Sequence, residues 1–385
     1  MNNKKMIMLA KTMAGLEQLV AKELDDIGAT NIEILNRAVR FEGDLKTMYK
    51  ANYCCRTALS ILVSQFSFDF YSQEEFYSKI LNYNWDPHFE FDTTFSVEAT
   101  ISGDIFTNSH YTALLCKDAI VDYFRKKYNQ RPTVDRFEPH LKISVYVRNN
   151  ECSILFDSSG ESLFKRGYRV ANGEAPIKEV LAAGIIGLAG WSGESNFYDP
   201  MCGSGTFAIE AAMIASKIPA GYYRENFGFM KWSNFDENLW EHVKTEADSN
   251  IVEMDIEIFA SDIDLKMTKF TYRNAQKAKL HKDITITQSS FEDFPFPKDG
   301  GIIVFNPPYG ERLAISDIQN NYKMIGDTLK KNCANYEVWM IGGSSDVHKF
   351  VGLKPSKKIT LYNGSIECKL LKYEMYEGAK YSNEE

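Results

Sequence analysis

The second half of the chain alternates short apolar runs with stretches of helical periodicity. Short apolar runs bounded by glycine or polar residues are typical of buried strands, whereas apolar residues at intervals of three and four indicate helices. The predicted strands are residues 197–198, 256–261, 284–288, 302–305, 337–341, 359–362 and 367–376. Strands that alternate with helices and end in a hairpin predict an α/β domain with a doubly wound sheet.

The first half mixes strands and helices in a different order. Residues 108–128 form the clearest amphipathic helix, and strands at residues 141–148 and 151–157 follow it, joined by a turn at Asn149 and Asn150. Nearer the amino terminus, a strand, a helix and two further short strands lie within residues 6–41. This order predicts compact α+β units, and composition says nothing of their role.

The charge distribution limits how the chain can meet nucleic acid. The 385 residues are 44% hydrophobic and carry a net charge of −8, so no overall basic field attracts a polyanion. Residues 117–169 are an exception, with eleven basic and seven acidic side chains. Two interpretations of this segment remain open: a surface that contacts phosphates, or ordinary solvated charge.

Cysteine usage and the amino-terminal sequence bear on location. The seven cysteines include no C-x-x-C pair, which argues for reduced thiols and against a disulfide framework or a zinc site. We therefore expect no metal. The first residues hold too short an apolar stretch for a signal peptide, and no long apolar run follows, so we expect a soluble, cytoplasmic protein.

The sequence Asn306-Pro307-Pro308-Tyr309 directly follows the apolar run at residues 302–305. Neither proline has an N–H to donate, so the strand must end there in a stiff loop. An amide oxygen and a proline carbonyl held together can accept the two N–H bonds of an exocyclic amine, while the tyrosine stacks on its base. The loop therefore predicts amine methylation on a nucleobase. An ordinary surface turn is the alternative that these residues alone leave open.

A second motif, DPMCGSGT at residues 199–206, lies between a predicted strand and an alanine-rich helical stretch. Gly203 and Gly205 let the backbone approach a ligand closely, and Asp199 at the strand end can hold an ammonium group. The motif is not a phosphate-binding loop, because no G-K-[ST] follows, and it lacks the G-x-G-x-x-G dinucleotide fingerprint. Asp262 ends the next predicted strand, where a carboxylate suits a ribose diol.

An insertion separates these two strands. Residues 219–254 carry one arginine, Arg224, and several aromatic side chains, among them Tyr222, Tyr223, Phe227, Phe229, Trp232 and Trp240. They form either part of a base pocket or an extra packing layer, and both interpretations remain open.

Two stretches resemble known families. Residues 96–104 (SVEATISGD) and 108–124 (NSHYTALLCKDAIVDYF) resemble the THUMP domain of RNA-modifying enzymes, which a ferredoxin-like domain precedes. Residues 173–378, with DPMCGSGT and FNPPYGERL, resemble class I S-adenosylmethionine-dependent methyltransferases that act on exocyclic amines. Nearly the whole chain thus resembles the THUMP-containing RNA guanine-N2 methyltransferases of 23S rRNA and tRNA.

The resemblance implies a domain organisation and three sets of functional residues. The domains are a ferredoxin-like domain at residues 1–55, a THUMP domain at 56–160, a Rossmann-like seven-stranded methyltransferase domain at 161–378 and a tail at 379–385. Catalysis is assigned to Asn306, Pro307, Pro308 and Tyr309. Contacts to S-adenosylmethionine are assigned to Asp199, Pro200, Cys202, Gly203, Ser204, Gly205, Thr206, Asp262, Ile263, Ser290, Phe291 and Asn306. Contacts to RNA are assigned to Arg125, Lys126, Lys127, Arg131, Lys165, Arg166 and Arg169.

One position departs from the family pattern. Many relatives place an aspartate after the third strand to bind the adenine amino group, but Ser290 occupies that position here. The contact then falls to Ser290 or to the backbone of Phe291. The motifs also leave three functions open: methylation of guanine N2 in 23S rRNA or tRNA, methylation of adenine N6 in RNA or DNA, and non-catalytic RNA binding during assembly. We expect structured RNA as the partner, no membrane, and a monomer.

Overall fold

The computed structural model describes residues 5–89, 92–173, 176–308, 315–343 and 346–376. Contacts between residues divide the chain into two compact units. The amino-terminal unit consists of Met1–Thr12, Val20–Leu163 and Arg224–Thr245. The carboxy-terminal unit consists of Met13–Leu19, Phe164–Tyr223 and Glu246–Glu385. The expected tail at residues 379–385 lies outside the described residues.

The described residues form the following elements. The strands are β1 (Met6–Thr12), β2 (Thr30–Leu35), β3 (Ala38–Gly43), β4 (Ala58–Asp69), β5 (Thr94–Ser102), β6 (Thr133–Val134), β7 (Leu141–Arg148), β8 (Glu151–Asp157), β9 (Phe197–Asp199), β10 (Ile258–Asp262), β11 (Ile284–Gln288), β12 (Gly301–Phe305), β13 (Tyr336–Gly343), β14 (Lys357–Asn363) and β15 (Ile366–Glu374). The α-helices are α1 (Glu17–Asp26), α2 (Leu45–Cys54), α3 (Gln73–Leu81), α4 (Ser109–Tyr128), α5 (Glu179–Ala189), α6 (Thr206–Ala215), α7 (Glu237–Asp248), α8 (Leu265–Lys277) and α9 (Ile315–Asn332). Among them no helix is both long and apolar enough to cross a lipid bilayer.

One sheet organises the amino-terminal unit. Its eight strands lie in the order β2-β3-β1-β4-β8-β7-β5-β6. The long strand β4 pairs antiparallel with β1 on one side and with β8 on the other. The strands predicted for two separate α+β domains are therefore joined through β4 into a single sheet, which the sequence pattern did not predict.

Helix α4 packs its buried face, which includes Cys116, Ile120 and Phe124, into the core beside this sheet. The helix begins after Asn108, whose side chain accepts the Tyr111 N–H at 3.0 Å. It ends at Asn129, which adopts the left-handed conformation with a φ of 54°. These caps account for the agreement between the predicted helix and the observed one.

The aromatic insertion belongs mainly to the amino-terminal unit. The ring of Tyr49 on α2 lies 4.5 Å from Phe229 and 5.8 Å from Trp240, measured between ring centroids. The Tyr49 hydroxyl also accepts the Asp236 N–H at 3.0 Å. For these residues the structure favours the packing-layer interpretation, because the rings fill a core instead of lining an open pocket.

The second sheet organises the carboxy-terminal unit and has the predicted doubly wound form. Its order is β11-β10-β9-β12-β13-β15-β14. The first five of these strands run parallel, and β15 is antiparallel to both of its neighbours. Strand order reverses on the two sides of β9, because β10 lies on one side and β12 on the other. Open α/β sheets bind their ligands at the carboxyl ends of strands beside such a reversal.

Candidate cofactor and active site

Three polar residues mark the carboxyl ends of the central strands. Asp199 and Asp262 are the last residues of β9 and β10, and Asn306 directly follows β12. Since β9 pairs in parallel with both β10 and β12, these ends lie at one edge of the sheet. The fold therefore brings together the two motifs that the sequence holds about a hundred positions apart.

Asp199 is a buried carboxylate with no hydrogen-bond partner for either oxygen among the described residues. Only 1% of the residue is exposed. Burial raises the pKa of this carboxyl well above its ordinary value, and the nearby Asp262 carboxylate raises it further. The backbone N–H groups of Ala208 and Met201 lie near enough to lower this pKa in part, although neither forms a hydrogen bond of standard geometry with the carboxylate. Burying a carboxylate that accepts no hydrogen bond costs free energy unless a ligand supplies a donor. The position of Asp199 therefore fits a ligand ammonium group.

Asp262 receives two backbone donors at the end of β10. The Gly203 N–H donates to one carboxylate oxygen at 2.9 Å, and the Asp264 N–H donates to the other at 3.0 Å. A Cβ built on Gly203 would meet no atom within 4 Å, so open space lies over this part of the turn. The next residue, Ile263, is 72% exposed beside the carboxylate. Polar acceptors beside an exposed apolar side chain fit a ribose with an attached base.

Gly205 has a packing role. Its φ is +82°, and a Cβ there would lie 2.6 Å from Cγ2 of Thr271 on α8. Cys202 is buried with its Sγ 3.4 Å from the Thr271 hydroxyl, and burial raises the pKa of this thiol well above its ordinary value. Pro200, also buried, accepts from the Ser261 hydroxyl at 3.4 Å. These residues shape the turn, and Cys202 is held as a neutral thiol.

Arg169 was predicted to contact RNA, and the structure corrects this assignment. Its guanidinium donates to Glu179 at 2.6 Å, to the Ser204 hydroxyl at 3.0 Å and to the Thr206 hydroxyl at 2.9 Å. It also donates to the Ile177 carbonyl at 3.1 Å. Arg169 therefore holds the glycine turn from inside the carboxy-terminal unit, since its donors are already committed.

Arg166 requires the same correction. The residue is 1% exposed, and its guanidinium pairs with Glu210, which is fully buried, at 3.4 Å. The Tyr168 hydroxyl donates to Glu210 as well, at 3.0 Å. A sequence count of basic residues includes such cations, although burial removes them from any surface available to RNA.

The remaining predicted RNA contacts are exposed. These are Arg125, Lys126, Lys127, Arg131 and Lys165. Arg125 pairs with Asp122 at 3.2 Å, and Lys127 pairs with Asp86. Arg131 has no ion-pair or hydrogen-bond partner within the described ranges. Their role in RNA binding stays a prediction.

Asn274 is a site residue that the sequence analysis missed. It is fully buried on α8, where its side chain donates to the Ser204 carbonyl and to the Ala171 carbonyl, each at 2.9 Å. Its side-chain oxygen accepts the N–H groups of Val170 and Ala171 at 2.8 and 2.9 Å. The signal in the sequence was its spacing on α8, where Thr268 and Thr271 precede it at three-residue intervals on the buried face of the helix.

The turn after β11 shows how Ser290 is used. The Ser290 hydroxyl donates to Asp293 at 2.6 Å and accepts the Asp293 N–H at 3.2 Å. The side chain of Phe291 is 3% exposed and belongs to the core. Phe291 can therefore offer only its backbone to a ligand. Asp293 places a carboxylate in the same turn, in which Ser290 occupies the position of the aspartate found in many relatives.

Asn306 holds the second unpartnered oxygen of the site. Its side-chain oxygen is buried and lacks a hydrogen-bond partner in the part of the chain that the structure describes. Pro307 is buried and Pro308 is exposed. Tyr309, the last residue of the predicted catalytic set, lies outside the described residues. A buried acceptor without a donor is rare in folded proteins and is typical of functional positions.

Three family models match the chain. They are the RlmL ferredoxin-like domain at residues 8–62, the THUMP domain at residues 70–157 and the RMKL-like methyltransferase domain at residues 166–372. The third match covers more than half of the chain. Together they confirm the predicted order of a ferredoxin-like, a THUMP and a class I methyltransferase domain.

Curated relatives share most of this sequence. A Synechocystis sp. protein named "Putative RNA methyltransferase slr0064" is 33% identical over 369 residues, which are 95% of this chain and 96% of that protein. The "Ribosomal RNA large subunit methyltransferase K/L" of Psychromonas ingrahamii is 36% identical over 94% of this chain, but only 49% of that protein is matched. The chain thus spans about half the length of the K/L relatives it matches.

A solved structure agrees over nearly the full length. The crystal structure of SMU.472, described as "a putative methyltransferase complexed with SAH", is 31% identical, with a TM-score of 0.87. The match covers 98% of this chain and 100% of that one. The unpartnered Asp199 carboxylate, the paired Asp262 and the open Gly203 turn fit the ammonium, ribose and backbone contacts that such a cofactor requires. The chain belongs to the RMKL-like methyltransferase-domain family and is a class I, S-adenosylmethionine-dependent methyltransferase.

Proposed function

We propose that the protein methylates the exocyclic N2 of a guanosine in structured RNA, with 23S rRNA as the substrate. The observation that carries this proposal is the unpartnered Asn306 oxygen, which lies at the same strand edge as the unpartnered Asp199 carboxylate. The THUMP match and the relatives named as RNA and ribosomal RNA methyltransferases support the substrate class.

The proposed chemistry depends on two oxygen acceptors. An exocyclic amine is a weak nucleophile because its lone pair is delocalised into the ring. Acceptors on both N–H bonds, the Asn306 side-chain oxygen and the Pro307 carbonyl, favour a pyramidal nitrogen whose lone pair points at the methyl donor. Tyr309 is assigned to stack on the base. When bound, S-adenosylmethionine would supply an electrophilic methyl group on a sulfonium: the N–CH3 bond would form as the S–CH3 bond breaks, and S-adenosylhomocysteine would leave. The methylated nitrogen, then positively charged and acidic, would lose one N–H proton readily to solvent, so no covalent intermediate or separate general base is required.

The Asn306 side-chain oxygen is buried from solvent. Substrate binding must therefore uncover it before it can accept an N–H. The cost of enclosing an unpaired acceptor, about 1–3 kcal/mol, is recovered when the substrate amine arrives. This arrangement favours bases with a free amino group over bases that lack one.

Cofactor binding is assigned to the neighbouring strand ends. Asp199 accepts the ammonium group, Asp262 accepts the ribose hydroxyls, and the backbone near Gly203 lies beside the methionine portion. The exposed Ile263 offers an apolar surface to the adenine. The adenine amino group is assigned to the turn that holds Ser290, through its hydroxyl or the Phe291 backbone.

The domain boundaries proposed for these roles are residues 1–55, 56–160 and 161–378. The ferredoxin-like and THUMP domains would hold the RNA, and the third domain would methylate it. A ribosomal RNA substrate would place the activity in the cytoplasm. A monomer suffices for this scheme, because both motifs come from one chain.

A direct experiment uses purified protein, labelled S-adenosylmethionine, and unmodified transcripts of 23S rRNA and tRNA, followed by nucleoside mass spectrometry. We expect N2-methylguanosine in the 23S rRNA transcript. N6-methyladenosine would instead support adenine methylation. Cofactor binding without transfer to any RNA would support a non-catalytic role.

A further inference from the structure

Phe137 is the most exposed large apolar side chain among the described residues, with 95% of its surface open. It lies in the loop between β6 and β7 in the amino-terminal unit. Burying a phenylalanine is worth roughly 1.5–3 kcal/mol, so near-complete exposure forgoes a substantial gain. Single exposed apolar residues are common on protein surfaces, so exposure alone does not mark a binding site. The structure and the charged side chains of the Phe137 loop distinguish it from such residues.

The loop that carries Phe137 is anchored at both ends. At one end, the Asp135 N–H donates to the Phe95 carbonyl at 3.0 Å. At the other, the His140 N–H donates to the Thr94 hydroxyl at 3.1 Å. Both anchors fix the loop to the start of β5, so the protruding tip is short.

The tip itself has a defined backbone. One Asp135 carboxylate oxygen accepts the Phe137 N–H at 2.8 Å and the Glu138 N–H at 3.1 Å, and these bonds lower the pKa of Asp135. Lys231 donates to the Glu138 carbonyl at 3.3 Å. A hydrogen-bonded turn therefore holds Phe137 in its exposed position. The backbone of this turn has little conformational entropy left to lose when a ligand binds.

Two arginines with uncommitted guanidinium groups lie near Phe137 in the sequence: Arg136 directly precedes it, and Arg131 precedes β6. Arg131 and Arg136 are both exposed, and neither has a hydrogen bond, ion pair or ring contact to any described residue. Of the two carboxylates at the tip, Asp135 is occupied by backbone donors and Glu138 is exposed. An exposed aromatic side chain in a segment with uncommitted guanidinium groups suits an unpaired nucleobase and its phosphates.

We propose that Phe137 stacks on an unpaired base of the RNA, while Arg131 and Arg136 bind the adjoining phosphates. This inference rests on the proposed RNA methyltransferase function and specifies one surface that holds the substrate. A protein partner is the less favoured occupant, because a stable protein interface needs a contiguous apolar area much larger than one ring.

The test measures binding of two fluorescein-labelled RNA hairpins by anisotropy, one with a bulged adenosine and one fully paired, without S-adenosylmethionine. Phe137→Ala and Phe137→Leu are expected to weaken binding of the bulged hairpin about tenfold, whereas Phe137→Tyr preserves it. The fully paired hairpin should bind all variants alike. Phe350→Ala, which truncates an exposed phenylalanine of the carboxy-terminal unit, is the matched control and should change neither affinity.

A second measurement separates stacking from charge. Arg131→Ala combined with Arg136→Ala should reduce the slope of log affinity against log salt, because fewer counterions are released on binding. Phe137→Ala should leave that slope unchanged. Near-identical melting temperatures would confirm that these surface variants fold.

The inference is overturned if Phe137→Ala binds the bulged hairpin as tightly as the wild type does. It is also overturned if Phe137→Leu retains full affinity, since that result indicates an apolar contact of the kind a protein makes. Failure of the wild type to bind either hairpin would count against the proposed RNA substrate as well. If Phe137→Ala weakens binding of the bulged hairpin but the wild type methylates no RNA, the RNA-binding role of Phe137 is supported and the proposed methyltransferase activity on RNA is contradicted.

Discussion

The side-chain amide of Asn274 donates to the carbonyl oxygen of Ser204 over 2.9 Å and so joins α8 to the glycine turn. The same amide satisfies three backbone groups of Val170 and Ala171. One buried side chain therefore fixes two segments next to the cofactor site. The geometry of the turn depends on this bond as well as on the glycines that the sequence displays.

Asn274→Asp should destabilise the protein and weaken cofactor binding. The change keeps the size of the side chain but removes both donors, leaving two buried carbonyls unpaired beside a buried charge. We expect a loss of at least about 2 kcal/mol in the free energy of unfolding, measured by urea denaturation. Gln276→Glu, the same change at an exposed position of α8, is the control. Equal stability of the two variants would contradict the role given to Asn274.

Arg169→Lys should weaken binding of S-adenosylhomocysteine without changing RNA affinity. Lysine keeps the positive charge next to Glu179 but cannot reach Ser204 and Thr206 together. Calorimetry should show about a tenfold loss of cofactor affinity, and RNA anisotropy should show none. The reverse pattern would restore the sequence-based assignment of Arg169 to RNA. Arg125→Ala, at an exposed arginine of α4, tests separately whether this other predicted residue contacts RNA.

Alanine substitutions at the two glycines of the turn should have different effects on stability and on cofactor affinity. Gly205→Ala places a methyl group 2.6 Å from Thr271 Cγ2, so it should lower stability by about 2 kcal/mol or more. Gly203→Ala meets no atom within 4 Å and incurs mainly the cost of its left-handed backbone, about 1–2 kcal/mol. Its larger effect should be on cofactor affinity, because the methyl group enters the open space. Partial rescue of Gly205→Ala by Thr271→Ser would confirm the clash.

Cofactor affinity should rise with pH as the Asp199 carboxyl loses its proton. Its raised pKa means that the folded protein holds this proton more tightly than the unfolded chain does. Protonation thus contributes stability that is present at low pH and is lost as pH rises through the folded pKa. Pairing with an ammonium needs the ionised carboxylate, so binding should release a proton.

Calorimetry in two buffers of different ionisation enthalpy measures that proton release. Asp199→Asn, which is close in size but cannot ionise, should bind weakly and release none. Wild-type binding that involves no proton change across the acidic range would contradict the ammonium assignment.

The element pattern was predictable, and the partners of individual polar residues were not. Alternating apolar runs predicted the second sheet, and strand-turn-helix context predicted the Gly203 and Gly205 turn. The single eight-stranded sheet was missed because the pairing of β4 with β8 is set by tertiary contacts between residues far apart in sequence. A local pattern records which residues are apolar but not which strand they meet.

Burial of charge was the main source of error. Arg166 and Arg169 fall in a basic segment, and only the positions of Glu210 and Glu179 show that both arginines are turned inward. Asn274 was missed for the complementary reason, since a polar residue in a helix is ordinarily assigned to the surface. In each case the deciding partner is distant in sequence.

The most direct test of the central claim compares single-turnover methyl transfer by the wild type and by Asn306→Ala, with S-adenosylhomocysteine affinity measured in parallel. Asn332→Ala, at an exposed asparagine of α9, is the control. Asn306→Ala should lower the rate on guanosine N2 about a hundredfold or more while cofactor affinity changes little. A rate equal to that of the wild type, with intact cofactor binding, would contradict the proposal that the Asn306 oxygen activates the amine.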